Sequence, residues 1–140
     1  MAHSIREQLL AAITVAVSGE YDVPAPESER DMPITIVAEG EDEAASDAYG
    51  QTYVQLPVAV ARAEVTTSTD KEIMRAQAND MLASLISLMF ADETFGGLAD
   101  SVEYTGGGIQ TEVGKFCFAE AQFTVAFHFV RGDPYTIDLP

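Results

Sequence analysis

Tryptophan is absent from the 140 residues, cysteine occurs once and histidine twice, and Lys and Arg together number 7 against 23 Asp and Glu. Each shortage removes a class of chemistry. A lone cysteine, Cys117, leaves no internal disulfide and no multi-cysteine zinc site, and it fits a reducing compartment. A net charge of −16 leaves too few cations to hold nucleic acid, because phosphate binding draws its affinity from Lys and Arg. The same deficit argues against an anionic membrane surface. Long apolar runs are missing as well. The run from Leu9 to Val17 is nine residues with Thr14 inside it, and the charged pair Arg6 and Glu7 precedes it. It reads as neither a signal peptide nor a spanning helix, which needs about 20 apolar residues.

What is present suffices for one core. Hydrophobic residues make up 47% of the chain, which excludes disorder throughout, and the length suits a single domain. We read that domain over residues 1–132, with 133–140 as an extended tail.

The first element reads as a helix from Ser4 to about Ser18, opened by a Ser4–Glu7 capping box and stopped by Gly19. Residues 20–32 hold Pro24, Pro26 and five acids, which is loop chemistry. PITIVAEG, from Pro33 to Gly40, reads as a strand, and EDEAASDAYG after it as an exposed, mobile loop. From Gln51 to Thr67 the chain alternates in period two, with Val54, Leu56, Val58 and Val60 on one face. Pro57 cannot donate to a ladder and marks an edge or a bulge. Thr69 with Glu72 caps a second helix to about Ala91, striped by Met74, Ala78, Met81, Leu85, Leu88 and Met89. Ser101–Thr105 reads as a short strand, and Gly106-Gly107-Gly108 as a flexible tip. From Gly114 to Arg131 a long strand aligns Phe123, Val125, Phe127 and Phe129. Phe116 and Phe118 have the opposite parity, so either a bulge near Glu120 resets the phase or both faces are partly covered there. The order helix, strand, strand, helix, strand, strand implies an α+β fold. Two helices would cover one face of a mostly antiparallel four-stranded sheet.

Catalytic and metal constellations are thin. His3 sits at the chain start, and His128 reads as a half-exposed strand residue. Cys117 and His128 lie eleven apart on one strand, roughly 36 Å at 3.3 Å per residue, too far to form a nucleophile pair. Cys117 reads as a small core residue. The acids Glu41–Glu43 lack the spacing of a calcium loop, and no lysine with Ser or Thr follows the glycine run to make a phosphate cradle. We expect no catalytic residue, no metal and no cofactor. Charge is the remaining signal: residues 20–47 carry ten acids against Arg30 alone. That is either a solubilising surface or one matched to a basic partner.

Several stretches together resemble a known family. They are the opening SIREQLLAAI, the strands MPITIVAEG and VQLPVAVARAEV, and the helix KEIMRAQANDMLASLISLMF. The turn ADETFGGLADSVEYTG and the close AQFTVAFHFVRGDPYTIDLP complete the set. The chain is similar along nearly its whole length to the tail terminator, or minor tail and tail-completion, proteins of long-tailed bacteriophages. The resemblance implies a non-enzymatic virion protein at the head-proximal end of the tail, assembled in the host cytoplasm. Copies would form a ring, commonly six-fold, that stops tube polymerisation and presents a surface to the head-neck connector. DNA would pass through its channel without specific binding, and no membrane is involved.

Two segments suit contacts with a neighbour or with the tail tube protein. One is the loop with Glu41, Asp42, Glu43, Asp47 and Tyr49. The other is the tail with Asp133, Pro134, Tyr135, Ile137 and Leu139. An acidic lining would repel passing phosphate within a Debye length of about 8 Å. The alternatives are another neck, head-closure or tube protein, or an acidic DNA mimic. The mimic is disfavoured because the densest acids fall among Gly, Pro and Ala rather than on rigid elements.

Overall fold

The structure, a computed structural model, describes residues 3–137, and its elements are organised around two 15-residue strands paired antiparallel. In chain order the elements are α1 (Ile5–Ala16), β1 (Glu20–Tyr21), β2 (Ile34–Glu39), β3 (Glu43–Ala48) and β4 (Gln51–Val65). Then come α2 (Lys71–Phe90), β5 (Ser101–Glu112) and β6 (Phe116–Val130), with a short 3-10 turn at Glu29–Asp31 before β2. The strands form one sheet in the order β1-β2-β4-β6-β5, and β3 also pairs with β4.

The α+β class is found, but the four-stranded antiparallel sheet is corrected to a mixed sheet of six. The antiparallel strands β2, β4, β6 and β5 are its body. The added β1 runs parallel to β2 through two residue pairs only, too short to leave a sequence signal. The added β3 replaces the expected mobile loop. Its sequence, EAASDA, has neither β-branched nor aromatic residues. It is a strand because β4 extends past the end of β2 and offers it an open ladder.

Pro57 sits where β4 exchanges one neighbour for the other. Val58 is opposite Glu39 of β2, and Gln55 is opposite Glu43 of β3. The Pro57 carbonyl accepts from Gly40 N at 2.8 Å in the turn between them. Its missing N–H therefore faces that turn, and pairing with β6 continues through Thr124 without a shift. The residue marks a local gap at the centre of the sheet, neither the outer edge nor a bulge.

Helix signals hold with shifted ends. Ser4 Oγ accepts from Glu7 N at 3.1 Å, and α1 buries Ile5, Leu9, Leu10 and Ile13. Its stop is Ser18, at φ 52°, rather than Gly19. Gly19 is needed for space, since a Cβ there would stand 3.2 Å from Thr35 O. Asp70, not Thr69, caps α2, accepting from Glu72 N at 2.9 Å and Ile73 N at 3.4 Å. Met74, Ala78, Met81, Leu85 and Met89 are buried, while Leu88 is 38% exposed.

Both helices press on the face that carries Val37, Leu56, Val58, Val60, Phe123, Val125 and Phe127, all nearly or wholly buried. Cys117 belongs to the same row, and burial pushes its thiol pKa up. No bulge interrupts the β4–β6 ladder. Phe116 and Phe118 therefore point to the other face, beside the buried Ala63 and under the loop at 25–32. Both faces are covered at that end.

The glycine run is not a tip. Gly106, Gly107 and Gly108 lie inside β5, opposite Gln122, Ala121 and Glu120, just past a bulge at Thr105. A Cβ on Gly107 would stand 2.8 Å from Glu120 O and 3.0 Å from Leu82 of α2, so that glycine lets helix and strand approach.

Candidate assembly surface

The segment after Gly132, read from sequence as extended, turns back on itself. Val130 N donates to Thr136 O at 2.7 Å, and Asp133 N donates to Val130 O at 2.7 Å. The Asp133 carboxylate accepts from Tyr135 N at 3.1 Å and from Thr136 Oγ1 at 2.7 Å. Pro134 O accepts from Ile5 N at 2.9 Å, which ties this turn to the first residue of α1. Ile137 packs against the core. Leu139 lies outside the described residues.

At the same end of the sheet, Tyr49 and Gly50 join β3 to β4. Ala48 pairs with Gln51, and the two turn residues have φ of 54° and 76°, the double positive φ of a type I′ hairpin. Asn or Gly is the usual first residue of such a turn. Here a tyrosine occupies it, 93% exposed. Thr52 Oγ1 donates to Asp47 Oδ1 at 2.6 Å and stiffens the base of the hairpin. Arg131 N donates to Gly50 O at 2.9 Å, so the hairpin and the C-terminal turn are bonded neighbours. Tyr49, Asp47, Asp133, Pro134 and Tyr135 thus gather at one end, with Tyr135 56% exposed.

Glu41, Asp42 and Glu43 are not part of that gathering. They sit at the other end of β3, where Arg6 of α1 donates to Asp42 Oδ1 at 2.8 Å and Oδ2 at 3.0 Å. The same guanidinium pairs with Glu39 Oε2 at 2.5 Å. Tyr21 of β1 donates its hydroxyl to Glu39 Oε1. The Glu39 hydrogen bond first, and burial second, push the Tyr21 pKa up to about 12. Sequence reasoning missed this network because its members stand 36 and 18 positions apart, and no periodicity links them.

Two polar pairs line other parts of the molecule. His128 Nδ1 lies 2.8 Å from both carboxylate oxygens of Asp100, and its ring is 5.5 Å from that of Tyr53. Between α1 and α2 a groove of about 730 Å³ opens onto β2 and β4. On its floor Arg62 donates to Thr35 Oγ1 at 2.8 Å and to Glu64 Oε2 at 2.7 Å. Among the described residues no group of three or more His, Cys, Asp and Glu is placed to hold a metal ion.

No family model and no curated protein matches the chain. Among solved structures, a chain of "Virion of native gene transfer agent (GTA) particle" is similar at 13% identity with a TM-score of 0.39. The alignment covers 89% of this chain and 92% of that one.

Proposed function

We propose that this chain is a structural protein of a phage-like virion, a tail terminator whose work is assembly rather than catalysis. Copies close into a ring on the head-proximal end of the tail tube, stop its growth and present a face to the head-neck connector. DNA passes through the channel. The resemblance of nearly the full chain to tail terminator proteins supports this reading. The structural observation that carries the reading is the joining of the β3–β4 hairpin and the C-terminal turn through Arg131 N and Gly50 O. It holds Tyr49 and Tyr135 outward on a hydrogen-bonded base, and tyrosine is among the residues enriched at protein interfaces, which supports a contact role for both.

Light scattering on the full chain, followed by negative-stain imaging with and without tail tubes, tests this. Closed rings, free or seated on tube ends, are the expected result. Long cylinders formed by the protein alone would make it a tube subunit. A monomer that ignores tube ends would overturn the assembly role.

A further inference from the structure

We propose that the outer edge of β5, from Gly106 to Thr111, accepts an extended strand from a different protein chain, one carrying Lys or Arg among small or apolar residues. This goes beyond the ring reading and does not depend on it. β5 is the last strand in the sheet order, so no described strand pairs with its outer side. Exposed edges invite further pairing, and proteins guard them with shortness, charge, proline or bulges.

The edge strands β1 and β3 are guarded. β1 has two residues, and β3 has six with a bulge at Ala45 and the acids Glu43 and Asp47. On β5 the guards stand outside the middle. Glu103 and the bulge at Thr105 precede it and Glu112 follows, while Gly106–Thr111 holds neither charge nor proline.

The glycines there point the same way. Gly107 is explained by the approach of α2, but a Cβ on Gly106 or Gly108 would meet nothing within 4 Å. Glycine weakens a strand unless another backbone comes close. Beside the edge lies a depression of about 390 Å³ bounded by β5 and by Phe118, Glu120 and Gln122 of β6.

Charge selects the visitor. Glu103 and Glu120 form no ion pair among the described residues, whereas Glu112 is held by Lys115 at 3.0 Å. A basic residue on the incoming strand would complement both. A second copy is a poor fit, because its own open edges bring Glu43 and Asp47, or Glu103 and Glu112.

The probe is a fluorescein-labelled peptide, Lys-Val-Thr-Val-Thr-Val-Lys, titrated into the full chain, beside a twin with Glu at both ends. We expect the Lys peptide to bind, to slow amide exchange within Gly106–Thr111, and to bind at least about tenfold tighter than its twin. Gly108→Lys has room for its side chain and places a cation on the open strand. Its unfolding midpoint should be no lower than that of the native chain, and it should weaken the Lys peptide by about tenfold. Should that variant fail to fold, Glu120→Gln reads the same contact and should weaken binding about threefold or more. Absent binding, equal binding of both peptides, or protection that falls on β3 instead would overturn the proposal. So would protection of Gly106–Thr111 that grows with protein concentration alone, which would name a second copy as the occupant.

Discussion

Arg6 and Asp42 stand 36 positions apart in sequence and meet through two hydrogen bonds from one guanidinium nitrogen, at 2.8 and 3.0 Å. The contact fastens the turn between β2 and β3 to the first turn of α1. β3 is paired on one side only, so this contact adds an anchor at its start, as the Arg131–Gly50 hydrogen bond does at its end. Both side chains are about one-third exposed, so solvent screening keeps the stability effect small. Arg6→Gln also removes the cation beside the buried Oε2 of Glu39 and should cost about 1–2 kcal/mol in urea unfolding. Amide exchange across Glu43–Ala48 should accelerate far more than exchange in β4, because local opening is released before the global fold is.

Tyr21 gives a pH signature. Its folded pKa is raised above the ordinary 10.0 to about 12, so the folded state holds the phenolic proton more tightly than the unfolded state. The stability from this group is complete below pH 10 and is lost as pH rises through about 12. Urea midpoints should fall across that window in the native chain. Tyr21→Phe should flatten that fall, and spectrophotometric titration should show one late tyrosine disappear.

Tyr49 separates stability from assembly. Tyr49→Asn restores the residue a type I′ turn favours and should raise stability by about 0.5–1 kcal/mol. It also deletes a 93% exposed aromatic, so ring formation by light scattering should decline while the unfolding midpoint rises. A truncation ending at Gly132 should impair assembly too, with the chain still folded. That variant should melt lower, since it removes the Pro134 carbonyl bound to Ile5 N and the packing of Ile137. Unchanged assembly in both variants would move the contact surface elsewhere.

Two adjacent glycines should respond oppositely. Gly107→Ala forces a Cβ to within 2.8 Å of the Glu120 carbonyl and should cost about 1–3 kcal/mol. Gly108→Ala meets open space and should gain about 0.5–1 kcal/mol by relieving the entropy cost of a strand glycine. Denaturant unfolding of the two variants decides it.

Phe127 is 1% exposed under the helices, and Phe127→Ala should cost about 3–5 kcal/mol in the same measurement.

By itself the sequence determined the class of fold, the two helices and the faces of the long strands. Those properties are local: Ser4 before an apolar 3.6-residue period, and Val54, Leu56, Val58 and Val60 in period two, need no distant partner to be read. The core row around Phe123 and Phe127 follows from the same alternation. What only the tertiary structure decided is pairing. EAASDA became β3 because β4 outran β2, and the glycine run became strand because β6 supplied a ladder and α2 a lid. The C-terminal segment turned back where Ile5 and Gly50 waited with a donor and an acceptor. Neither Arg6 with Asp42 nor the hairpin with the C-terminal turn is visible along the chain. Backbone hydrogen bonds and ion pairs between segments depend on which surfaces folding brings together, and residue spacing carries no record of that.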